Sequence, residues 1–319
     1  MTRVVLVARF DETGHSHGAL QQRALERLGC RVTPVNLDRP GGWLKRLAGR
    51  DLNTQLERSL RDAEAELILV ISPDLPPLSY PALRAAGAAR WIHWYPTTGP
   101  GLLDVPKSAE SFDVVYVPGR AQAEQFAART GRAIRALPPA CDPSFHRPLQ
   151  VRGPFRANVV FAGTASPRRE ELLAPLIEFG LAVWGPGWKK TRLKDHCQGE
   201  ELKAEDYVRA YAGATVGINI HREPVDGLPG GDCNRRLFEL GAIGTAQAVD
   251  HRTELADHFE PDDELLMYRD PDQLRELVRS ALADQERRDR VASAARRRAL
   301  SRHTYMHRLT ALLELGKEG

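Results

Sequence analysis

Apolar residues along the first third of the chain come in short unbroken runs, separated by stretches with a helical period. Arg3-Val4-Val5-Leu6-Val7-Ala8 predicts a buried strand, Gly18 to Leu28 an amphipathic helix closed by Gly29, and Arg31 to Leu37 a second strand. After the Gly41-Gly42 break, Trp43 to Ala65 carries helical spacing, Leu67 to Ile71 predicts a third strand and Ser79 to Gly87 a short helix. Trp91 to Tyr95 and Val114 to Val117 supply two more strands, and Ala121 to Thr130 a helix after the second. Strands and helices that take turns at this spacing predict a parallel, doubly wound sheet.

Prolines then interrupt the pattern, in Leu137-Pro138-Pro139 and from Asp142-Pro143 to Arg147-Pro148, where neither a helix nor a central strand tolerates them. This stretch is expected to be a linker. Beyond it the pattern restarts with a strand and turn over Asn158 to Thr164, a helix over Glu170 to Phe179 and a strand over Leu181 to Trp184. Tyr207 to Ala212 leads into a strand over Val216 to Ile220. A helix from Asn234 to Gly241, a short strand near Ala246 to Val249, a helix from Pro271 and another toward the C-terminus follow. The expected fold class is α/β, with two Rossmann-like doubly wound domains and no tandem sequence repeat: residues 1–150, then 151–300, then a helical segment over 301–319. Ligands of such sheets sit beyond the carboxyl ends of the strands, so two in tandem are expected to face a central cleft.

Composition adds limits. A chain of 319 residues, 42% apolar and 27% charged, has room for two cores and is neither a disordered chain nor a disulfide mini-protein. No window reaches the roughly 18 apolar residues a membrane span needs, and the opening MTRVVLVARF runs straight into a strand pattern, so a soluble, cytoplasmic protein is expected. Cys30, Cys141, Cys197 and Cys233 form no C-x-x-C pair and are expected to be reduced, in neither a zinc ribbon nor a disulfide framework. Lys and Arg number 45 against 42 Asp and Glu, but the net charge of +3 hides local asymmetry: +4 over residues 1–150, −6 over 151–274 and +6 from Arg275 to Arg308. In that last segment ten arginines face four acidic residues. Without interleaved aromatics for base stacking, it reads as a basic brace and not as a nucleic-acid surface.

Three strand-to-helix junctions carry candidate chemistry. Phe10 to Gly18 is a polar loop entering a helix N-terminus, where backbone N–H groups can receive an anion or a sugar hydroxyl. Gly14 and Gly18 stand four apart, so the dinucleotide fingerprint G-x-G-x-x-G is absent. His15 and His17 are candidates for a general base, since the imidazole side chain changes charge near neutral pH; the competing reading is a flexible loop with solvated histidines. Gly163 to Glu170 joins a glycine, the capping residues Thr164 and Ser166, and Arg168 with Arg169, a combination that would stabilise a diphosphate leaving group or, alternatively, form a routine capped turn. Ile218-Asn219-Ile220-His221, followed by Gly230-Gly231-Asp232-Cys233-Asn234 and a helix, has the order of a phosphate cradle. Arg235 and Arg236 lie four and three residues before Glu239, which reads either as an i,i+4 ion pair or as a carboxylate for a ribose diol. Pro224 to Gly231 is expected to be a mobile flap over the bound ligand. Trp184 to Trp188 offers an aromatic beside a base, or a core residue and a loop anchor. No Asp-x-Asp follows a strand and no His/Cys cluster has ligand spacing, so no metal is expected.

The run from Asn219-Ile220-His221 through Asn234-x-Arg236-x-Phe238-Glu239, with Glu254-Leu255, Tyr268, Leu274 and His303-Thr304-Tyr305-x-x-Arg308, resembles the CgeB-like glycosyltransferases of the group-1, GT-B superfamily. Phe112 to Val115 and Leu137 to Pro143 share the weaker cues. The resemblance implies metal-independent transfer of a hexosyl group, with a nucleotide-diphosphate-sugar as co-substrate and no permanently bound cofactor. The donor would be held mainly by the C-terminal domain; the acceptor, a glycan, protein or small molecule, by the N-terminal one; and the last helix would cross back to the N-terminal domain. The implied donor set is Gly163, Thr164, Arg168, Arg169, Lys189, Lys190, His221, Gly231, Asp232, Asn234, Arg236 and Glu239. Glu239 corresponds to the second acid of the superfamily's E-x7-E element, which holds the donor ribose. The first acid position is Gly231, with Asp232 beside it as a substitute. Arg168 or Arg169 and Lys189 or Lys190 would meet the pyrophosphate. If transfer inverts, the base comes from His17, His15 or Asp11; if it retains, their loop positions substrates. The glycine at 231 also supports a second reading, a GT-B protein that binds nucleotide sugars without catalysis.

Overall fold

The computed structural model describes residues 1–37, 45–85, 87, 89–223 and 225–315. The chain forms two compact units, one of Met1–Pro139, Glu223–Asp232 and Tyr305–Gly319, the other of Ala140–Arg222 and Cys233–Thr304.

The first unit is built from β1 (Arg3–Ala8), α1 (His17–Arg27), β2 (Arg31–Asn36), α2 (Lys45–Ala63), β3 (Leu67–Ile71), α3 (Tyr80–Ala85), β4 (Arg90–Trp94), α4 (Val105–Ser111), β5 (Val114–Val117), α5 (Arg120–Thr130) and β6 (Ile134–Ala136). Its strands pair in parallel in the order β2-β1-β3-β4-β5-β6. Helices cover both faces, so the central strands are apolar throughout: all five residues of Leu67-Ile68-Leu69-Val70-Ile71 are buried. The expected Gly41-Gly42 break and the helix start at Trp43 lie outside the described residues.

The second unit contains β7 (Ala157–Ala162), α6 (Pro167–Leu173), β8 (Leu181–Trp184), β9 (Cys197–Gly199), α7 (Ala204–Ala212), β10 (Ala214–Asn219), α8 (Arg235–Ile243), β11 (Gln247–Asp250), β12 (Leu266–Tyr268), α9 (Pro271–Ala283) and α10 (Gln285–Arg302). Its sheet is also parallel, in the order β12-β11-β10-β7-β8-β9. Gly241 lets α10 lie close on α8, since a Cβ there would meet the Ala299 Cβ at 3.3 Å. Around that contact Leu237, Phe238, Ala295 and Ala299 are buried.

Several elements differ from expectation. The helix expected over Glu170 to Phe179 starts earlier, because Ser166 accepts the Arg169 N–H and Pro167 suits the first helical position. It gives way to a 3₁₀ turn over Ala174–Phe179 with Pro175 near its start, where the missing N–H interrupts the α-ladder. The short elements α4, β6, β9 and β12 were not expected, since three to seven residues carry too little periodicity.

The proline-rich linker is also redrawn. The change of unit falls at Pro139–Ala140, and the residues after it are built into the second unit. The Cys141 N–H donates to the His303 carbonyl at 3.0 Å, Cys141 bridges Thr304 in parallel, and Asp142 and His146 are buried. Of the segment 301–319, α10 takes the part up to Arg302, while α11 (Tyr305–Leu315) packs on α1 in the first unit with Leu309 and Leu312 buried; residues 316–319 lie outside the described residues. The guanidinium of Arg308 donates to the carbonyls of Pro138 and Pro139 at 3.0 and 3.2 Å, tying α11 to the end of that unit's first segment.

The stretch expected to flap over the bound ligand belongs to the first unit. Leu228 packs on its apolar core, Gln122 Nε2 donates to the Pro229 carbonyl at 3.2 Å, and Gln125 Nε2 donates to the Gly227 carbonyl at 3.4 Å. Pro224 itself lies outside the described residues.

Candidate functional site

In each sheet the strand order reverses once, between β1 and β3 in the first unit and between β7 and β10 in the second. Such switch points open a crevice beyond the carboxyl ends of the strands. The candidate residues gather around these two places.

At the first, the loop after β1 is well tied. Asn36 brackets Phe10, accepting its N–H at 3.0 Å and donating to its carbonyl at 2.9 Å, and Arg23 donates to the Gly14 carbonyl at 2.7 Å. A Cβ on Gly18 would collide with the Arg9 carbonyl, so α1 starts directly against the strand end. The Asp11 carboxylate accepts from the hydroxyl and N–H of Thr13 at 2.7 and 3.1 Å, and the His15 N–H donates to the Thr13 hydroxyl at 3.2 Å. His17 Nδ1 lies 3.0 Å from the Tyr305 hydroxyl, so α11 orients that imidazole.

At the second switch point Arg168 spans the gap. From the start of α6, after β7, it reaches the His221 carbonyl at 3.1 Å and Asp250 Oδ2 at 2.7 Å, groups at the ends of β10 and β11. Asp250 Oδ1 accepts the His221 N–H at 2.9 Å and lies 2.6 Å from His221 Nδ1, while Arg252 donates to Oδ2 at 3.1 Å. Burial alone would raise the Asp250 carboxyl, but its interactions with His221, the charge of Arg252 and the hydrogen bond from Arg168 outweigh it and hold it well below the usual carboxylate range.

Arg169, the next residue, behaves differently. Its guanidinium lies 5.3 Å from the Phe161 ring centroid and donates to the Thr164 carbonyl at 2.7 Å; the Arg236 guanidinium lies 5.0 Å from the same centroid and donates to the Ala162 carbonyl. Among the described residues neither makes an ion pair, and Arg236 Nε is buried without a hydrogen-bond partner. Burial, then the charges of Arg236, Arg222 and Arg168, push Arg169 down to about 10, whereas Tyr211, Tyr207 and Glu239 outweigh burial at Arg236 and raise it. Gly163 and Thr164 are therefore brought together with Arg169 and Arg236, and Arg168 with His221.

Asn234 caps α8 by accepting the Leu237 N–H at 3.1 Å and donates to Asn219 Oδ1 at 2.7 Å, joining the helix start to the end of β10. Glu239, one turn on, is buried. It accepts the Tyr207 hydroxyl at 2.8 Å, lies 3.2 Å from Arg235 Nε and 3.7 Å from His146 Nε2. The Asp142 N–H donates to His146 Nδ1 at 3.0 Å, so the ring proton sits on Nε2, facing Glu239. Burial pushes the His146 imidazole down, against the opposite pull of Glu239 and Asp142.

Among the other candidates, Lys189 pairs with Glu200 at 3.4 Å, and Lys190 is exposed. Gly231 and Asp232 belong to the first unit, where Asp232 accepts from the Thr98 hydroxyl and from Gln122 Nε2, the latter at 3.1 Å. Trp184 stacks on Phe155 with centroids 6.4 Å apart, and Trp188 is buried with its indole N–H on the Gly163 carbonyl at 2.7 Å; both are structural, and neither is an exposed platform for a base. Sequence reasoning missed Asp250, Arg252, Tyr207, Thr98 and Gln122. Asp250 ends a strand of a parallel sheet, a position that topology marks as ligand-side, and Arg252 follows it by two residues; Tyr207, Thr98 and Gln122 become visible only through partners far away in sequence.

Among the described residues no group of three or more His, Cys, Asp or Glu side chains is placed to hold a metal ion, and no helix is long and apolar enough to cross a membrane.

A family model described as "Glycosyl transferase-like" matches residues 168–314. No curated protein matches the sequence. Among solved structures, sucrose-phosphate synthase from Thermosynechococcus elongatus superposes with a TM-score of 0.69 at 15% identity, covering 100% of this chain and 99% of that one. Anabaena HepE in complex with UDP-glucose gives a TM-score of 0.67 at 12% identity over 99% of both chains. AviGT4, a glycosyltransferase involved in avilamycin A biosynthesis, gives 0.64 at 18% identity, over 99% of this chain and 97% of that one. The chain thus has the two-domain GT-B fold of these structures, and residues 168–314 are glycosyl transferase-like in sequence.

Proposed function

We propose that this protein is a CgeB-like glycosyltransferase that moves a hexosyl group from a nucleotide-diphosphate-sugar to a glycan, protein or small-molecule acceptor. The second unit holds the donor and the first unit the acceptor. The observation that carries this reading is the pair Arg169 and Arg236, two guanidiniums on one Phe161 ring at the carboxyl end of β7, without a carboxylate partner among the described residues. Arg169, pushed down by burial and by its cationic neighbours, is relieved when an anion meets the pair. The UDP-glucose found in Anabaena HepE, a protein of the same fold, has a diphosphate that would do so.

As the C1–O bond breaks, negative charge grows on the diphosphate and the sugar gains oxocarbenium character. Fixed guanidiniums aimed at the leaving group lower that barrier without a metal. For inversion, His17 is the best placed base, because the Tyr305 hydroxyl 3.0 Å away orients its ring in the manner of a base held by a third group. Asp11, by contrast, spends one carboxylate oxygen on Thr13.

The test is calorimetry with UDP, GDP, UDP-glucose and GDP-mannose, alongside donor hydrolysis and transfer to an acceptor panel. Nucleotide binding that weakens in Arg236→Ala, with turnover, is the expected result; no nucleotide binding at all overturns the reading. The engagement of Asp232 by Thr98 and Gln122, next to a side-chain-free Gly231, favours one competing reading, a nucleotide-sugar-binding protein without catalysis. Tight binding with no turnover on any acceptor would select it.

A further inference from the structure

The environment of His221 constrains what its ring can bind. Asp250 Oδ1 lies 2.6 Å from Nδ1 and also accepts the His221 backbone N–H at 2.9 Å, while Oδ2 takes Arg168 at 2.7 Å and Arg252 at 3.1 Å. An ionised carboxylate only accepts hydrogen bonds, so Nδ1 must carry a hydrogen. In the neutral ring the lone pair is then on Nε2. That nitrogen is buried, in a side chain 5% exposed, and has no hydrogen-bond partner among the described residues. A buried acceptor without a donor is costly, and this one stands just past the end of β10, at the switch point of the sheet.

We propose that Asp250 is a positioning residue that fixes the His221 tautomer, and that His221 Nε2 thereby accepts a hydroxyl of the nucleotide sugar and not an oxygen of its diphosphate. The inference rests on the donor reading given above. A diphosphate at neutral pH offers only acceptor oxygens, which a lone pair repels. The O–H donors of a nucleotide sugar are on its ribose and on its sugar, so the two possible sources share one chemistry. The anion is left to Arg169 and Arg236. Arg168, held between Asp250 and the His221 carbonyl, braces the pair from α6.

The tautomer can be read without any turnover. Full-length protein carrying nitrogen-15 histidine is examined by long-range ring NMR at about pH 8, above the usual imidazole range, with the His221→Gln spectrum identifying the His221 signals. The Nδ1–H tautomer is expected in the wild type and its loss in Asp250→Asn. An Nε2–H tautomer in the wild type overturns the proposal. The same sample then receives UDP, GDP, UDP-glucose and GDP-mannose, with binding measured separately by calorimetry. The Nε2 signal should move with the nucleotide sugar alone if the hydroxyl belongs to the sugar, and with the nucleoside diphosphate as well if it belongs to the ribose. An Nε2 signal that stays still under a probe shown to bind overturns the proposal.

His221→Phe should weaken every probe that moves the Nε2 signal about tenfold, the size of one lost hydrogen bond, and leave unchanged any probe that does not move it; equal loss for a probe that binds without moving the signal, in a folded variant, would mean a structural role. If no probe binds, the donor reading fails and the hydroxyl assignment with it, while the tautomer still decides the role of Asp250. Thermal denaturation establishes that each variant is folded, and should His221→Phe not fold, Asp250→Asn supplies the affinity comparison.

Discussion

Gly185 stands against Gly163 so closely that a Cβ on Gly185 would press into the Gly163 carbonyl, whose carbon would lie 2.7 Å away. Gly185 has a φ of +126°, which L side chains rarely adopt, and the same carbonyl accepts the Trp188 indole at 2.7 Å. The ends of β7 and β8 are thus held in one arrangement beside the two arginines. Gly185→Ala should cost about 1–3 kcal/mol of stability and weaken nucleotide binding. Gly87→Ala, where a Cβ meets nothing within 4 Å, is the comparison. Thermal denaturation and calorimetry on both variants measure the difference, and equal stabilities would remove the close approach as a constraint.

The diphosphate assignment separates cations that look alike on paper. Arg169→Ala and Arg236→Ala are each expected to reduce affinity for a nucleoside diphosphate at least tenfold, in keeping with charge-assisted hydrogen bonds in a half-buried site. Lys189→Ala should change it less than about twofold, since Lys189 and Glu200 form a surface pair with side chains 65% and 54% exposed. A larger loss for Lys189 than for either arginine would move the anion to the turn over Trp188–Lys190.

Buried His93 makes acid stability a sensitive readout of the first unit. Its Nδ1 lies 2.7 Å from the Ser108 hydroxyl, Nε2 is buried without a hydrogen-bond partner among the described residues, and its ring packs on Tyr95 and Phe112. Burial pushes this imidazole down to about 3. The folded state therefore binds the proton less readily than the unfolded chain does. The contribution of His93 is fully present above the ordinary imidazole value and is lost as pH falls from about 6.5 toward 3, at up to roughly 1.4 kcal/mol per pH unit. Urea denaturation between about pH 7 and 4 should show this slope, and His93→Gln should flatten it. An unchanged slope in the variant would place the acid sensitivity elsewhere.

Tyr207 and Glu239 divide stability from recognition. Burial, and then the charge of Glu239, raise the Tyr207 hydroxyl well above its ordinary value, so it stays protonated and donates at 2.8 Å. Tyr207→Phe leaves the buried carboxylate one donor short and should cost about 1–3 kcal/mol. If Glu239 also holds the donor ribose, the wild type will prefer UDP over its 2′-deoxy form and Glu239→Gln will lose that preference. A variant that keeps the full preference would confine Glu239 to its protein partners.

Helix α11 is a brace of the first unit. Truncation before Tyr305 would expose the surface now covered by Leu309 and Leu312, remove the hydroxyl beside His17 and free the carbonyls of Pro138 and Pro139 from Arg308. Two buried leucines alone represent about 3–6 kcal/mol of apolar burial. The truncated chain should unfold at lower denaturant while any nucleotide preference persists; a changed donor preference at unchanged stability would contradict this role.

Much of the fold was legible because parallel strands buried on both faces leave long apolar runs, such as Val4 to Val7 and Leu67 to Ile71, and capped helices between them leave a period. Shorter pieces such as β12 were not legible, because three residues carry no period. The linker was misplaced for a different reason: prolines mark where regular structure stops, but Cys141 pairs with Thr304 through contacts more than a hundred residues apart.

The candidate site divides in the same way. Local spacing put Arg235 and Glu239 on one helix face, and the ion pair at 3.2 Å is where an i,i+4 relationship places it. Arg168 and Arg169, adjacent and of one type, were indistinguishable as sequence. Only the tertiary structure gave one to Asp250, 82 residues away, and left the other beside Arg236 on the Phe161 ring. By itself the sequence determined the alternation, the two sheets and the junctions where ligands can approach, since those follow from periodicity and backbone chemistry. Which charges are neutralised, and which nitrogen of His221 carries the proton, was decided by tertiary structure alone, because electrostatics depends on distance through space and not on separation along the chain.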